Sequence, residues 1–290
     1  VTARALNVLV TGASGFVGRH LVSALLGKGF KVRAVSRDLD AARALPWFDE
    51  VEFVAADIQD PNLDVAALAE GIDVIAHLAW SGLPNYQALF HFERNLPLDY
   101  AFLKRVIEAG VSQVLVTGTC FEYGLQSGPL SEAIAPQPNT PYGLAKHTLR
   151  QFLEALQRQQ PFTLQWARLF YLHGEGQNPN SLLASLDRAI DAGEAQFNMS
   201  AGDQLRDYLE IRQAAAMLAA LVARRDVAGV INCCSGQPVS VRALVEQRVA
   251  ERQSNIALNL GHYGYSAHEP MAFWGVAERI SQLAGEQHAA

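Results

Sequence analysis

The sequence predicts an α/β fold: a doubly wound parallel sheet. Three observations carry this. Short apolar runs recur along the chain with helical patterns between them. The first run passes directly into TGASGFVG (11–18) and then into a segment of helical periodicity. The chain has 290 residues, half of them hydrophobic, enough for a large core and a second lobe.

LNVLVT (6–11) opens the series as an unbroken apolar run, as expected of a strand covered on both faces. Gly12, Gly15 and Gly18 follow, and RHLVSALLGKG then places Leu21, Leu25 and Leu26 at helical spacing. KVRAVS (31–36), VEFVAA (51–56), DVIAHLA (73–79), SQVLVTG (112–118) and FTLQWARL (162–169) supply strands two to six. Long helical patterns cover about 95–110 and 142–158; helices at 208–225 and 239–252 are expected to return to the main sheet. The expected organisation is a nucleotide-binding domain over 1–170 with a returning segment 207–252. A small interwoven C-terminal substrate lobe takes 171–206 and 253–290.

Strand, glycine turn and helix together make a dinucleotide fingerprint. Gly12 permits the turn, Gly15 admits the pyrophosphate to the backbone, and Gly18 allows close packing of helix on strand. The diphosphate would rest on the helix N-terminus, where unpaired N–H groups favour anions. In such sheets ligands lie beyond the carboxyl ends of the strands. Those ends here hold Gly12, Ser36, Asp57, Ala79 and Thr119. At the end of strand two, an acid usually holds the ribose hydroxyls of NAD. This chain has Ser36–Arg37, a hydroxyl and a guanidinium suited to a 2′-phosphate. NADP(H) is the expected cofactor and NAD(H) the alternative, with a solvated Arg37 and with Asp38 on the ribose.

Net charge of −6 argues against a general nucleic-acid binder. No apolar run reaches membrane-spanning length, and VTARA lacks a secretory leader's pattern and reads as a trimmed end. Three cysteines, two of them adjacent (Cys233, Cys234), form no disulfide framework and suit a reducing cytoplasm. No His, Cys or acid cluster has metal-ligand spacing, so no metal is expected.

Tyr142 and Lys146 lie four residues apart on one expected helix, in TPYGLAKHTLR. A free phenol titrates near 10, and a cation one turn on favours the phenolate. With GxxGxxG upstream, this YxxxK pair resembles the short-chain dehydrogenase/reductase superfamily, in its extended, sugar-nucleotide-modifying branch. The resemblance covers nearly the whole chain and implies a Rossmann-type fold. It implies Tyr142 as proton donor or acceptor, Lys146 also holding the nicotinamide ribose, and Thr119, in VTGTCFEYG (116–124), orienting the substrate oxygen. Asn95 is the implied further member of a proton relay. The implied cofactor wall adds Ser14 and Phe16 in the glycine turn, Asp57 and Ile58 after strand three, Leu78 and Ala79 after strand four, and Thr117 on strand five.

For the substrate the resemblance implies Arg206, in GDQLRDYLEI (202–211), on the diphosphate of a sugar nucleotide; pairing with Asp207 or a helix end is the bland alternative. Trp80, Cys120, Tyr171 and Asn178 are the other implied substrate-wall residues. For Trp80 and Trp274 burial is the default, and Cys120 has no partner in its motif to make it a thiolate. Dehydratases of this branch place Asp-Glu directly after the catalytic Thr, where this chain has Cys120–Phe121. Epimerases generally keep the strand-two acid, which is missing. HLAWSGLPNY (77–86), GTCFEYG (118–124), INCCSGQPVSVRALVE (231–246) and EPMAFWG (269–275) resemble a narrower group, the 4-ketoreductases of dTDP-4-keto-6-deoxy-hexoses. The expectation is thus an NADP(H)-dependent 4-keto reductase, with a 4-epimerase and a non-catalytic NADP sensor as alternatives. A homodimer through the helices after strands four and five is implied by the resemblance alone.

Overall fold

The computed structural model describes residues 5–266 and 269–286, with side chains to residue 283. Residues 1–4 and 287–290, at the extremities of the expected segments, lie outside this range. A seven-stranded sheet of β1 (Asn7–Thr11), β2 (Lys31–Ser36), β3 (Glu52–Ala55), β4 (Val74–His77), β5 (Gln113–Thr119), β7 (Thr163–Leu169) and β11 (Gly229–Cys233) runs through the molecule. Its order is β11-β7-β5-β4-β1-β2-β3, and every neighbouring pair is parallel. The chain winds outward from β1 to β3, then crosses to β4 and winds the other way. The switch point between β1 and β4 opens a crevice at their carboxyl ends.

Both faces of the sheet are covered, which is why its central strands carry apolar residues on both sides. On β1, Leu9 joins one core while Val8 and Val10 join the other; on β5, Val114 and Val116 face one side and Leu115 the other. The first core is closed by α3 (Val65–Ala69), α4 (Leu96–Glu108) and α5 (Pro141–Gln157), through Leu68, Phe102, Leu103, Leu149 and Leu153. The second is closed by α1 (Phe16–Gly27), α7 (Ile211–Val222) and α9 (Glu278–Glu286), through Leu21, Leu25, Leu218, Leu221, Ile280 and Leu283. The short α2 (Leu39–Arg43) follows β2.

The remaining elements form smaller sheets beside the crevice. β8 (Tyr171–His173), β10 (Leu205–Glu210) and β12 (Pro238–Ser240) make a three-stranded sheet. β9 (Gln196–Asn198) pairs with β13 (Ala257–Asn259), and β6 (Gly128–Leu130) with β14 (Phe273–Gly275). α6 (Leu182–Asp191) and α8 (Val241–Glu251) share a separate apolar cluster built on Leu186, Met199, Val245 and Ile256.

Four features differ from the sequence reading. Gly229–Cys233 is a seventh strand, where only a motif was read. The helix expected at 208–225 starts at Ile211, because Leu205–Glu210 is drawn into a sheet by β8 and β12. The helix expected at 239–252 packs on α6 instead of the main sheet, because β12 leads the chain away from it first. α9 does the reverse: it covers the central sheet, although its residues were expected in the substrate lobe.

Candidate active site

The glycine turn is shaped by contacts that exclude side chains. Gly12 is left-handed (φ +68), and a Cβ there would lie 2.9 Å from the Ala79 amide nitrogen. A Cβ on Gly18 would run into the Gly12 carbonyl, so α1 can lie this close to β1 only with glycine. Gly15 heads α1 with no side chain capping its first amides. Those N–H groups meet a cleft of about 1080 Å³ that runs over the switch point. The cradle fits a dinucleotide diphosphate.

At the end of β2 the Ser36 and Ser14 hydroxyls are 2.5 Å apart. The Asp38 carboxylate accepts the Ala41 N–H at 2.8 Å and caps α2. Arg37 is exposed on the cleft rim, 4.0 Å from Asp57. Phe16, Asp57, Ile58, Leu78, Ala79 and Thr117 also line the cleft.

Thr140 caps α5 by accepting the Gly143 N–H at 3.0 Å, with Pro141 in the first turn. Gly143 packs on the Phe121 carbonyl; a Cβ there would stand 2.6 Å from its oxygen. This seats the first turn of α5 on the 3₁₀ turn Cys120–Tyr123 and brings Tyr142 beside Thr119, both buried on the cleft wall. Rings of Trp80, Tyr86, His91 and Phe121 surround Tyr142 at 5.3–6.2 Å. Burial raises its pKa above the ordinary phenol value, reinforced by Tyr86, while contact with the Thr119 hydroxyl acts the other way.

Lys146, one turn on, donates to the Thr117 carbonyl at 2.9 Å and stands 4.1 Å from the Trp80 ring centroid. Burial lowers its pKa to about 8, opposed by Asp99 and Glu122. The sequence reading had Lys146 holding Tyr142 toward phenolate. In the chain by itself desolvation dominates, and the phenol is held protonated.

Trp80 is fixed by its indole N–H, which donates to His91 Nδ1 at 3.0 Å, and one face carries the Lys146 ammonium. Cys120 lines the cleft with its thiol pushed up by burial, so it is no nucleophile at neutral pH. Tyr171 and Asn178 line the same cleft. Two expected residues do not. Asn95 is buried behind the wall, donating to the Ser81 carbonyl at 2.9 Å. Arg206 lines an adjoining cavity of about 480 Å³ with Asn180, Phe197, Tyr263 and Tyr265. Its partner is neither Asp207 nor a helix end but Glu269, at 3.0 Å. Glu269 borders both cavities and also accepts the Tyr171 hydroxyl at 2.5 Å. Asp207 instead binds the backbone N–H groups of Ser235, Gly236 and Gly275.

Sequence reasoning missed Glu269, the aromatic Tyr86 and the buried pair Glu122–Arg168, whose atoms meet at 3.0 Å. The partners Arg206 of Glu269 and Arg168 of Glu122 lie far along the chain; the local signal that could have found Glu122 is the Thr-x-x-Glu spacing of 119–122. Among the described residues no group of His, Cys, Asp or Glu could hold a metal ion, and no helix is long and apolar enough to cross a membrane.

Residues 8–234 match the NAD dependent epimerase/dehydratase family. The chain is 30% identical to a dTDP-6-deoxy-L-talose 4-dehydrogenase (NAD(+)) of Aggregatibacter actinomycetemcomitans, over 93% of this chain and 99% of that protein. It is 27% identical to a UDP-glucose 4-epimerase of Halalkalibacterium halodurans, over 82% and 78%. Among solved structures, MoeE5 in complex with UDP-glucuronic acid and NAD superposes with a TM-score of 0.81 at 26% identity, covering 96% of this chain and 92% of that one.

Proposed function

The chain belongs to the NAD dependent epimerase/dehydratase family, and we propose that it is an NADP(H)-dependent oxidoreductase that reduces the 4-keto group of a nucleotide-linked 4-keto-6-deoxy-hexose, dTDP being the expected nucleotide. One observation carries this reading: Thr119, Tyr142 and Lys146 converge on the cleft wall, and the two residues directly after Thr119 are neither acid nor base. Cys120 and Phe121 stand where a dehydratase needs an acid and a base. Glu122, next along, is turned away into the protein by Arg168 and Trp166.

The nicotinamide cofactor, when bound, supplies the hydride for C4 of the sugar. Gly12, Gly15 and Gly18 with the first amides of α1 would hold its diphosphate, and Lys146 its ribose. Tyr142, protonated in the chain, donates the proton to the oxygen that was the ketone. The Thr119 oxygen accepts the Phe121 N–H at 3.2 Å, which leaves its own proton for the substrate oxygen. The aromatic wall of Trp80, Tyr86 and Phe121 excludes water from that proton transfer. Arg206, at the far end, would meet the substrate diphosphate once Glu269 releases it.

NADP(H) is supported by Arg37 on the rim and by Asp38, whose carboxylate is engaged in capping α2. The similar talose 4-dehydrogenase carries NAD(+) in its name, so the choice rests on these side chains. We further read the protein as a cytoplasmic homodimer through α4 and α5, where Leu144 and Phe152 are exposed. The second reading is a 4-epimerase, favoured by the UDP-glucose 4-epimerase relative.

Purified protein is incubated with dTDP-4-keto-6-deoxyglucose, or its C5 epimer, and NADPH or NADH. The expected result is one NADPH consumed per reduced sugar. Interconversion of two dTDP- or UDP-hexoses with no change in the NADPH band would install the epimerase instead.

A further inference from the structure

Behind β5, away from the cleft, lies a charged group that the reaction above does not use. Glu122 is fully withdrawn from solvent, and Arg168 nearly so. The Glu122 Oε1 atom accepts two N–H groups, the Thr119 amide at 2.9 Å and the Trp166 indole at 2.8 Å. Oε2 accepts Arg168 Nε at 3.0 Å. The space for this carboxylate comes from Gly118: a Cβ there would run into both the Trp166 indole and Glu122 Oε1. Arg168 is itself held from behind, its guanidinium 4.4 Å from the Tyr123 ring centroid.

A buried ion pair is poor material for stability, since apolar residues of similar volume often serve as well or better. One buried nitrogen of this guanidinium has no hydrogen-bond partner, which deepens the cost. What the pair does supply is a fixed acceptor at one atom, the Thr119 amide. Thr119 and Glu122 hold each other reciprocally: the Thr119 hydroxyl accepts from the start of the 3₁₀ turn, and Glu122 reaches back to the Thr119 N–H. That clamp sets the backbone of Thr119 and so the direction of its hydroxyl toward Tyr142.

We infer that Glu122, anchored by Arg168 and Trp166, is a positioning residue that aims the Thr119 hydroxyl at the substrate oxygen. The inference rests on the oxidoreductase reading for its kinetic consequence, and on geometry alone for the clamp.

The full chain is the test object. Glu122→Gln by itself would leave the Arg168 guanidinium buried without a counter-charge and endanger the fold, so both charges are removed together. Glu122→Leu with Arg168→Met deletes the acceptor; Glu122→Gln with Arg168→Met keeps an amide oxygen for the Thr119 N–H. The first double variant should lose about tenfold or more in kcat, with KM for cofactor and sugar nucleotide within about twofold, the pattern of a misaimed group. The second should recover most of that loss. Hydrogen exchange over 117–121 should be faster in the first than in the second. Equal kcat and equal exchange in the two folded double variants would overturn the inference. If the unaltered protein turns over no nucleotide-linked 4-keto sugar, the functional reading falls while the exchange comparison still decides the clamp.

Discussion

Ser14 and Ser36 are hydrogen-bonded to each other through their hydroxyls, 2.5 Å apart. The bond ties the glycine turn to the end of β2. Arg37 follows on the cleft rim, and among the described residues its ion-pair partner is Asp57, at 4.0 Å across an exposed gap. An exposed pair of that length is worth little, so the guanidinium can exchange it for a phosphate.

Arg37→Ala should therefore raise KM for NADPH by about tenfold or more, the worth of a charge-assisted bond, and leave KM for NADH within about twofold. Steady-state kinetics with both cofactors decide it. Equal losses for the two would show that Arg37 does not read the 2′-phosphate.

Tyr142→Phe removes one oxygen and keeps the ring among Trp80, Tyr86 and His91. The variant should fold and bind cofactor as the unaltered protein does, and lose about 10²–10⁴-fold in kcat. Tryptophan fluorescence titration and single-turnover assays separate the two effects. Turnover that survives intact would remove Tyr142 from the proton transfer.

Lys146→Met should stabilise the cofactor-free protein while abolishing turnover. Burial lowers the Lys146 pKa from 10.5 to about 8, so charging it in the fold costs about 3 kcal/mol. The cost is present in full below pH 8, where the ammonium is charged in both states. It shrinks as pH rises from 8 toward 10.5, where the folded state has lost the proton and the unfolded chain still binds it. The variant's Tm near pH 7 should exceed that of the unaltered protein by about 5–10 °C, and the gap should close by pH 10. A lower Tm at pH 7 would show that the Thr117 carbonyl and the Trp80 ring outweigh desolvation.

Arg206 and Glu269 make opposite predictions. Arg206→Ala should raise KM for the sugar nucleotide by about tenfold or more, because a diphosphate would lose a bidentate partner. Glu269→Gln removes the carboxylate that occupies the guanidinium and should lower that KM. Isothermal titration with dTDP alone checks both without turnover. Weaker dTDP binding by Glu269→Gln would mean that the carboxylate itself holds the ligand.

The features legible in the sequence are those written locally. Six strands of the main sheet stood out because burial on both faces demands unbroken apolar runs, as in VLV at 8–10 and VLV at 114–116. Tyr142 and Lys146 were legible because one helical turn sets their spacing. β11 was not, since Gly229 and small or polar neighbours dilute its run. The end of β10, from 208 on, read as helix because the buried positions before it are Arg206 and Asp207, which hide the alternation of a strand. Glu122 sits in a turn, where a carboxylate reads as solvated; only Arg168, 46 residues on and two strands away in chain order, makes it internal. Arg206 and Glu269 are 63 residues apart for the same reason.

The sheet order also carries a timetable. β1 emerges before the other strands of its sheet and becomes a central one, yet the layer over its second face is closed by α7 and α9, from the far end of the described chain. During synthesis α1 would wait, its Leu21 and Leu25 without their final neighbours, until Leu218 and Ile280 have left the ribosome. Contacts of such long sequence separation form late and leave apolar surface open in the interval. Loss of 278–286 would thus uncover part of the layer that α1 and α7 form over this face, far from the site it impairs.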